Sequence, residues 1–292
     1  MPFQYKITEK KEIEITGYEG EVRRLMIPER IADHPVTSVG SRAFYGREDL
    51  REVWLPEGMT VLKSFAFYGC PNLHTIHLAD GVEDYYDGVI RQCASLAEIT
   101  VRMRRGNYRI IREMLGDNDR QLLFRMTLPN EEEVCLIFPA YLNDFVEDTM
   151  ARAIHLKIEG AGYPFRECVL RSGIRYQEYD RVFFRAAADD DLCAVEIALL
   201  RLMYPHELSK ESKDAYRTYL TDQMGFFLHI LIDADRMDEV RFLAKEGLIP
   251  QRWYEDGILY ASERKKPQMA GVLLDAQKRN QAEPKKPDFF VL

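Results

Sequence analysis

The chain has 292 residues, a formal net charge of −8, and 46% hydrophobic and 30% charged residues. These values are typical of an ordinary folded protein and exclude a disordered chain. The acidic balance argues against a nucleic-acid partner, because phosphate contacts need clustered Lys and Arg. Five cysteines occur without C-x-x-C spacing, which argues against a disulfide scaffold and against a zinc site.

The sequence has no apolar run of about 18 residues, so we expect no membrane-spanning helix. The first residues lack the apolar segment of a secretion signal, and charged residues follow at once. We therefore expect a cytoplasmic protein. A cell-surface location is the alternative if a leader has been removed from the chain.

The first predicted element is a β-hairpin over residues 3–20. Tyr5, Ile7, Ile13 and Ile15 alternate with polar residues on both sides of a polar turn, a pattern typical of half-buried strands. The end of a repeat array exposes its apolar interior unless another element covers it. We expect this hairpin to cap the repeats that follow.

A repeat in register follows the hairpin. The sequence Ala-Phe-Tyr-Gly at 43–46 recurs 23 residues later at 66–69 and again, degraded to Val-Ile-Arg-Gln, at 89–92. A pattern of the type L-x-x-I-x-L begins at Leu50, Leu73 and Leu96, and an earlier copy begins at Val22. A constant period of about 20–29 residues with this pattern is typical of leucine-rich repeats, which stack into a β-solenoid.

The predicted strands place two rows of side chains on the outer face of the sheet, because alternate residues of a strand point to opposite sides. One row contains Arg24, Glu52, Thr75 and Glu98, and the other contains Met26, Trp54, His77 and Thr100. Since Trp is enriched where proteins bind each other, we predict a protein-binding site centred on Trp54 and His77. The alternative is that the following region folds over this face and buries both side chains.

A basic cluster follows the third copy. Its members are Arg102, Arg104, Arg105, Arg109 and Arg112. The cluster either docks an acidic segment of a partner or forms a solvated helix face that is paired with nearby acids.

Metal, cofactor and enzyme chemistry find little support in the sequence. His74 and His77 are three residues apart in a predicted strand, so they face opposite sides and cannot hold one ion. The common motifs of hydrolases and nucleotide-binding proteins do not occur. We expect no metal, no cofactor and no enzymatic activity.

Residues 105–178 show no clean repeat. A helical pattern covers residues 105–115 and stops at Gly116, and residues 122–128 and 134–138 have the composition of strands. This region contains either degenerate repeats or an irregular α+β connector. An enzyme site, if the protein had one, would lie here.

The remaining sequence changes to helical spacing. Residues 179–280 are predicted to be a helical domain, with Ser209 as an N-cap and two helix pairs offset by 30 residues. Residues 281–292 form a tail whose apolar end, 289–292, packs back on its own protein or docks elsewhere. The predicted domains are thus 1–104, 105–178, 179–280 and the tail.

The predicted fold class is α+β: a short leucine-rich-repeat β-solenoid with an N-terminal β-hairpin cap, followed by an all-helical C-terminal domain.

The repeats also resemble the BspA-like class of bacterial leucine-rich repeats. The resemblance covers residues 5–101 and is carried by the sequences at 15–20, 27–29, 35–44 and 66–73. It implies a role in protein binding and, for many family members, adhesion at the bacterial cell surface. Residues 228–278 are similar to ankyrin-type helical pairs, although they lack the T-P-L-H opening of that family.

These observations favour a non-enzymatic scaffold that binds another protein of unknown identity. A cell-surface adhesin and an enzyme with a site in the middle region are the alternatives.

Overall fold

The computed structural model describes residues 2–148 and 153–282, with strands in the N-terminal part and helices in the C-terminal part. It divides into two compact units, one of Met1–Cys193 with Tyr204–Leu208 and one of Ala194–Met203 with Ser209–Leu292. The predicted α+β fold class is confirmed, with a β-solenoid of about five turns that begins with the predicted hairpin.

The strands are β1 (Phe3–Ile7), β2 (Ile13–Tyr18), β3 (Arg24–Met26), β4 (Arg30–Ile31), β5 (His34–Val39), β6 (Glu52–Trp54), β7 (Val61–Leu62), β8 (Thr75–Ala79), β9 (Asp84–Tyr85), β10 (Glu98–Arg102), β11 (Leu122–Thr127), β12 (Glu133–Phe138), β13 (Leu142–Asp148) and β14 (Ala153–Glu159). The helices are α1 (Arg109–Asp117), α2 (Gly162–Arg166), α3 (Tyr176–Arg181), α4 (Phe183–Asp189), α5 (Asp191–Met203), α6 (Lys210–Asp233), α7 (Met237–Lys245), α8 (Arg252–Glu263) and α9 (Pro267–Ala282).

Two sheets form the solenoid. The longer sheet has the strand order β3-β6-β8-β10-β11-β12, and the shorter sheet has the order β1-β2-β5-β7-β9, with β4 paired to β5. Neighbouring coils pair in parallel in both sheets, while β1–β2 and β11–β12 pair antiparallel. Each coil therefore contributes one strand to the longer sheet before the chain turns towards the next coil.

One row of apolar side chains runs through the interior of the longer sheet. The register aligns Leu25, Val53, Ile76, Ile99 and Phe124, and all five are buried. A coil cannot bury this row alone, because its neighbours on both sides supply the contacts. Stacking in register is therefore what removes the row from water.

The Ala-Phe-Tyr-Gly copies form a second internal column. The Phe44 and Phe67 rings stack with their centroids 5.1 Å apart, and both are buried. The thiols of Cys70 and Cys93, one coil later, donate to the carbonyl oxygens of Phe44 and Phe67 at 3.1 Å. Buried thiols thus act here as small apolar groups with a weak donor.

A fifth coil lies inside the region that showed no clean repeat. Strand β11 pairs with β10 in parallel, with Phe124 opposite Ile99, so this part of residues 105–178 continues the array. Gln121 stands where the third copy has Leu96, and the step between the two coils is 25 residues because α1 replaces the Ala-Phe turn.

Helix α1 is shorter at its start than the sequence pattern predicts. It begins at Arg109 because the carboxylate of buried Asp80 accepts the backbone N–H groups of Arg104, Arg105 and Asn107 at 2.8–3.0 Å. It ends at Asp117, so the predicted stop at Gly116 is wrong.

The side chain of Asp117 provides the hydrogen-bond acceptor at the last position of the internal column, in the third copy. In the first two copies, the backbone N–H groups of Phe44 and Phe67 donate to carbonyl oxygens of the next coil. The corresponding N–H of Ile90 donates to Asp117 Oδ2 at 2.9 Å, and the Tyr85 hydroxyl donates to the same oxygen. A carboxylate therefore replaces the missing carbonyl, since a buried N–H needs a partner.

The C-terminal end of the solenoid, opposite the hairpin, is covered by β12 and by helices of the same unit. The Tyr179 ring packs edge-on against Phe138 and Phe165, and its hydroxyl donates to the carbonyl of Ile137 at 2.6 Å. The buried Arg166 guanidinium donates to several backbone carbonyls, including that of Arg120 at 2.7 Å. The apolar interior is thus capped at both ends.

The second unit consists of helices, and Ser209 is the N-cap of α6, with its hydroxyl accepting from the Ser212 N–H. The turns after α6 and α8 each contain a residue with positive φ, Asp235 and Lys265, which lie 30 positions apart. The similarity to ankyrin-type pairs stays a prediction. Helix α9 extends to Ala282, and the apolar end 289–292, expected either to pack back on the protein or to dock elsewhere, lies outside the described residues.

Truncating the internal column tests the stacked core. We expect Phe67→Ala to lower the free energy of unfolding by about 3–5 kcal/mol, because it leaves a cavity between two coils. Tyr45→Ala removes an exposed ring from the same repeat motif and is the matched control, with an expected loss below about 1 kcal/mol. Denaturant unfolding measures both values, and equal losses would contradict the stacked core.

Candidate binding surface

The outer face of the longer sheet carries two rows of side chains in register. The first row is Arg24, Glu52, Thr75, Glu98 and Leu123, and the second is Met26, Trp54, His77, Thr100 and Arg125. The parallel register that buries one set of alternate residues necessarily presents the other set on this face. All eight residues of the predicted site therefore lie on the same face, within two adjacent rows.

Trp54 and His77 form the aromatic centre of this face. Their rings stack with centroids 3.7 Å apart and an interplanar angle of 18°. Trp54 is 41% exposed and Met26, its neighbour in the row, is 62% exposed. The described part of the chain therefore leaves Trp54 open to solvent, contrary to the alternative in which the middle region buries it.

Glu52 holds the aromatic pair from the adjacent row. Its Oε1 accepts the Trp54 Nε1–H at 2.8 Å and lies 3.1 Å from His77 Nε2, while its Oε2 accepts from Arg24 Nε at 2.6 Å. Burial raises the pKa of Glu52, but the hydrogen bonds from Arg24, Trp54 and His77 outweigh burial and hold the pKa below its ordinary value.

The two partners of His77 assign the roles of its ring nitrogens. A carboxylate can only accept, so His77 Nε2 carries the proton that points at Glu52. In the neutral ring, Nδ1 then accepts the hydroxyl of Thr100, whose Oγ1 lies 2.5 Å away. Both ring nitrogens are engaged, which fixes the plane on which Trp54 rests.

Arg125 extends the second row and was not predicted as a site residue. Its Nε donates to Glu98 Oε1 at 3.2 Å, and its Nη1 lies 3.4 Å from the Tyr204 hydroxyl of the same unit. The signal was the alternation Leu122, Phe124, Met126, which places Arg125 on the opposite side from the buried residues.

A shallow depression of about 290 Å³ adjoins the aromatic pair. Its lining includes Trp54, His77, Ala79 and Thr127. Ala79, whose small side chain lines the depression, lies opposite Arg102 in the register. Arg102 and Glu57, from the coils on either side of Ala79, form an ion pair of 2.9 Å at its rim.

The charges on this face are paired with one another. Ion pairs between coils join Arg24 to Glu52, Arg102 to Glu57, and Arg125 to Glu98. The exposed pairs contribute little to stability individually. These three pairs therefore add no net charge around the exposed indole of Trp54.

The predicted basic cluster has local partners. Arg102, Arg104, Arg105 and Arg109 pair with Glu57, Glu131, Glu83 and Glu113, and Arg112 donates to the carbonyl of Val169 at 2.9 Å. The local pairing agrees with the expected solvated helix face, but only Arg109 and Arg112 lie on helix α1. Docking of an acidic segment on this cluster stays a prediction.

The middle region, where an enzyme site was considered, contains a cavity of about 430 Å³ beside Asp117 and Tyr141. Burial raises the pKa of Asp117, against the hydrogen bonds from Ile90 and Tyr85. The Asp117 carboxylate already accepts hydrogen bonds from the Ile90 N–H and the Tyr85 hydroxyl, which are contacts of the solenoid core. Arg91 Nη2 lies 3.1 Å from its second oxygen.

Comparison with known proteins supports the repeat assignment. The family model for the BspA type Leucine rich repeat region (6 copies) matches residues 26–113. No curated protein matches the sequence. The resemblance of these repeats to the BspA type is therefore confirmed over 26–113, and it rests on less than half of the chain.

Solved structures of bacterial leucine-rich repeat proteins are also similar. One from Bacteroides capillosus ATCC 29799 has 23% identity and a TM-score of 0.32, over 36% of this chain and 84% of that chain. A leucine rich cell surface protein from Faecalibacterium prausnitzii A2-165 has 18% identity and a TM-score of 0.27, over 35% and 44%. The leucine rich repeat protein of T. pallidum has 24% identity and a TM-score of 0.24, over 34% and 68%.

Among the described helices, none is both long and apolar enough to cross a membrane.

The Glu52 network predicts a pH-dependent contribution to stability. Because the folded pKa of Glu52 is below its ordinary value of 4.5, the contribution is present at neutral pH and is lost as the pH falls through the folded pKa. We expect Glu52→Gln to lower the free energy of unfolding by about 1 kcal/mol at neutral pH and by less at acidic pH.

The exposed Glu21, changed to Gln, is the control for this measurement. A cost of Glu52→Gln that stays constant from neutral to acidic pH in denaturant unfolding would contradict the network.

Proposed function

We propose that this protein is a non-enzymatic scaffold that binds another protein through the outer face of its leucine-rich-repeat sheet. The observation that carries the proposal is the exposed Trp54, stacked on His77 and held by Glu52 in a fixed orientation. An aromatic side chain that is already ordered loses little conformational entropy when a partner covers it.

The chemistry of the face supports a protein partner. Trp, Met and Arg are the residue types enriched in protein interfaces, and they lie together here as Trp54, Met26, Arg24 and Arg125. The paired charges leave an apolar centre with a polar rim, which is the usual arrangement of such interfaces. Polyanion binding would need unpaired basic side chains instead.

The same contacts argue against catalysis on this face. Both nitrogens of His77 are committed to Glu52 and Thr100, so the imidazole does not present a free base to a substrate.

The BspA-type repeats favour a second candidate, adhesion at the cell surface, which uses the same binding face. The two proposals differ in where the protein works, and we propose the cytoplasm for the scaffold. Cell fractionation separates them. Recovery with the surface fraction favours the adhesin, and recovery with the cytosol favours the scaffold.

A double variant tests the binding face. We expect Trp54→Ala with His77→Ala to reduce recovery of the cross-linked partner at least about tenfold, because central aromatic residues carry a large share of interface energy. The measurement is quantitative pull-down of the tagged chain from its own cells after chemical cross-linking.

The matched control is Tyr45→Ala with Tyr68→Ala. These two rings also stack between neighbouring coils, with centroids 5.2 Å apart, but belong to the turn motif and not to the longer sheet. Circular dichroism first establishes that both double variants are folded. Equal partner recovery with the two variants would exclude the outer face as the binding site.

A further inference from the structure

The capping strand β1 carries apolar side chains that the solenoid does not cover. Tyr5 lies opposite Ile15 and Ile7 lies opposite Ile13 in the β1–β2 hairpin. Ile13 and Ile15 are fully buried, yet Tyr5 is 38% and Ile7 is 52% exposed. Tyr5 and Ile7 therefore lie on the core side of the shorter sheet but extend beyond the coils that fill the core.

The opposite side of the hairpin is polar. Lys6 lies opposite Glu14, and their side chains form an ion pair of 3.0 Å. Glu14 also pairs with Lys63 at 2.6 Å. The charges on one side of β1 are thus paired. The other side carries an apolar strip, which consists of Phe3, Tyr5 and Ile7.

The backbone of this strip is available for pairing. Strand β1 lies at one end of the shorter sheet, so among the described strands none lies along its second edge. At its two ends, the Pro2 carbonyl accepts from Glu19 N–H and the Thr8 N–H donates to the Glu12 carbonyl. Backbone groups alternate between the two edges of an antiparallel strand, so Phe3, Tyr5 and Ile7 direct theirs away from β2.

The strip is complementary to itself. In an antiparallel pair of two β1 strands centred on Tyr5, Tyr5 faces the Tyr5 of the second copy, and Phe3 faces its Ile7. Gln4 then faces Lys6, so no like charges are opposed. This register engages all three outward-directed residues, and the twofold axis is perpendicular to the sheet, which places both apolar strips on the same side.

We propose that β1 of one molecule pairs antiparallel with β1 of a second copy of this chain, so that the shorter sheets of both join into one. The proposal goes beyond the binding function of the longer sheet and is independent of it. An interface of one short strand per copy buries less area than a standard stable interface of about 1,200–2,000 Å². The dimer is therefore weak and depends on protein concentration.

Cysteine cross-linking tests both the pairing and its register. Facing residues of a hydrogen-bonded pair have Cα atoms about 5.5 Å apart, within the range that a disulfide spans. With diamide as oxidant, we expect Tyr5→Cys to form a disulfide-linked dimer. A mixture of Phe3→Cys and Ile7→Cys chains should form a cross-linked heterodimer. The native cysteines are all buried and do not compete.

Ile7→Cys alone is the register control. Two copies of position 7 are four residues apart along the paired strands, about 13 Å, so cross-linking should be at least about tenfold slower than for Tyr5→Cys. Equal rates for the two variants would show random collision and overturn the proposal. Absence of the heterodimer from the mixture would overturn the register even if Tyr5→Cys failed to fold.

Sedimentation velocity of the unsubstituted chain provides a second measurement. We expect the dimer fraction to rise with concentration and to be lost in Tyr5→Lys, because two lysines then face each other at the twofold axis. Tyr86→Lys, at another exposed tyrosine of the same unit, should leave the dimer unchanged. A monomer at every concentration, or equal loss in both variants, would overturn the proposal.

The double variant Trp54→Ala with His77→Ala separates this inference from the proposed function. We expect it to dimerise like the unsubstituted chain, since its substitutions lie on the longer sheet. Loss of the dimer in this variant would contradict pairing through β1.

Discussion

The constraint on which the solenoid depends is that no coil can bury its own apolar residues. Leu25, Val53, Ile76, Ile99 and Phe124 are removed from water only because the coils stack with their strands in register. A slip of one residue would turn this row towards solvent. The same register fixes the outward residues, so the core and the candidate binding surface have one physical origin.

The ends of the stack show the same constraint. Towards the C-terminal end of the stack, Asp117 supplies the acceptor that a further coil would provide for the third copy. Tyr179 packs on Phe138 at the same end. At the N-terminal end, the hairpin covers the first coil, but its own residues Tyr5 and Ile7 stay partly exposed. The polar outer side expected of a terminal cap is thus present on one side of β1 only.

The repeat period and the alternation of apolar residues were sufficient to predict the first four coils, the hairpin and the two outward rows. They were insufficient for the fifth coil, because Gln121 interrupts the leucine pattern and α1 changes the length of the step. Arg125 was missed as a site residue for this reason. A strand was predicted over residues 122–128, but its place in the array follows only from its pairing with β10.

The side-chain hydrogen bonds could not be predicted from the sequence either. Asp80 accepts backbone N–H groups from the following coil, whereas Glu52 orients Trp54 on its own strand, and both contacts depend on side-chain geometry that spacing does not reveal. The sequence located the aromatic pair correctly because both members occupy the same position of neighbouring repeats. Its role in binding remains our proposal.

Cross-linking of the fifth coil to the fourth is the most direct test of the stacked register. Arg102 lies opposite Thr127 on neighbouring parallel strands, and no native cysteine faces either residue in the register. We expect the double variant Arg102→Cys with Thr127→Cys to form an intramolecular disulfide under mild oxidation, while Thr100→Cys with Thr127→Cys does so far more slowly. Faster oxidation of the second pair would contradict the register that creates both the core and the candidate binding surface.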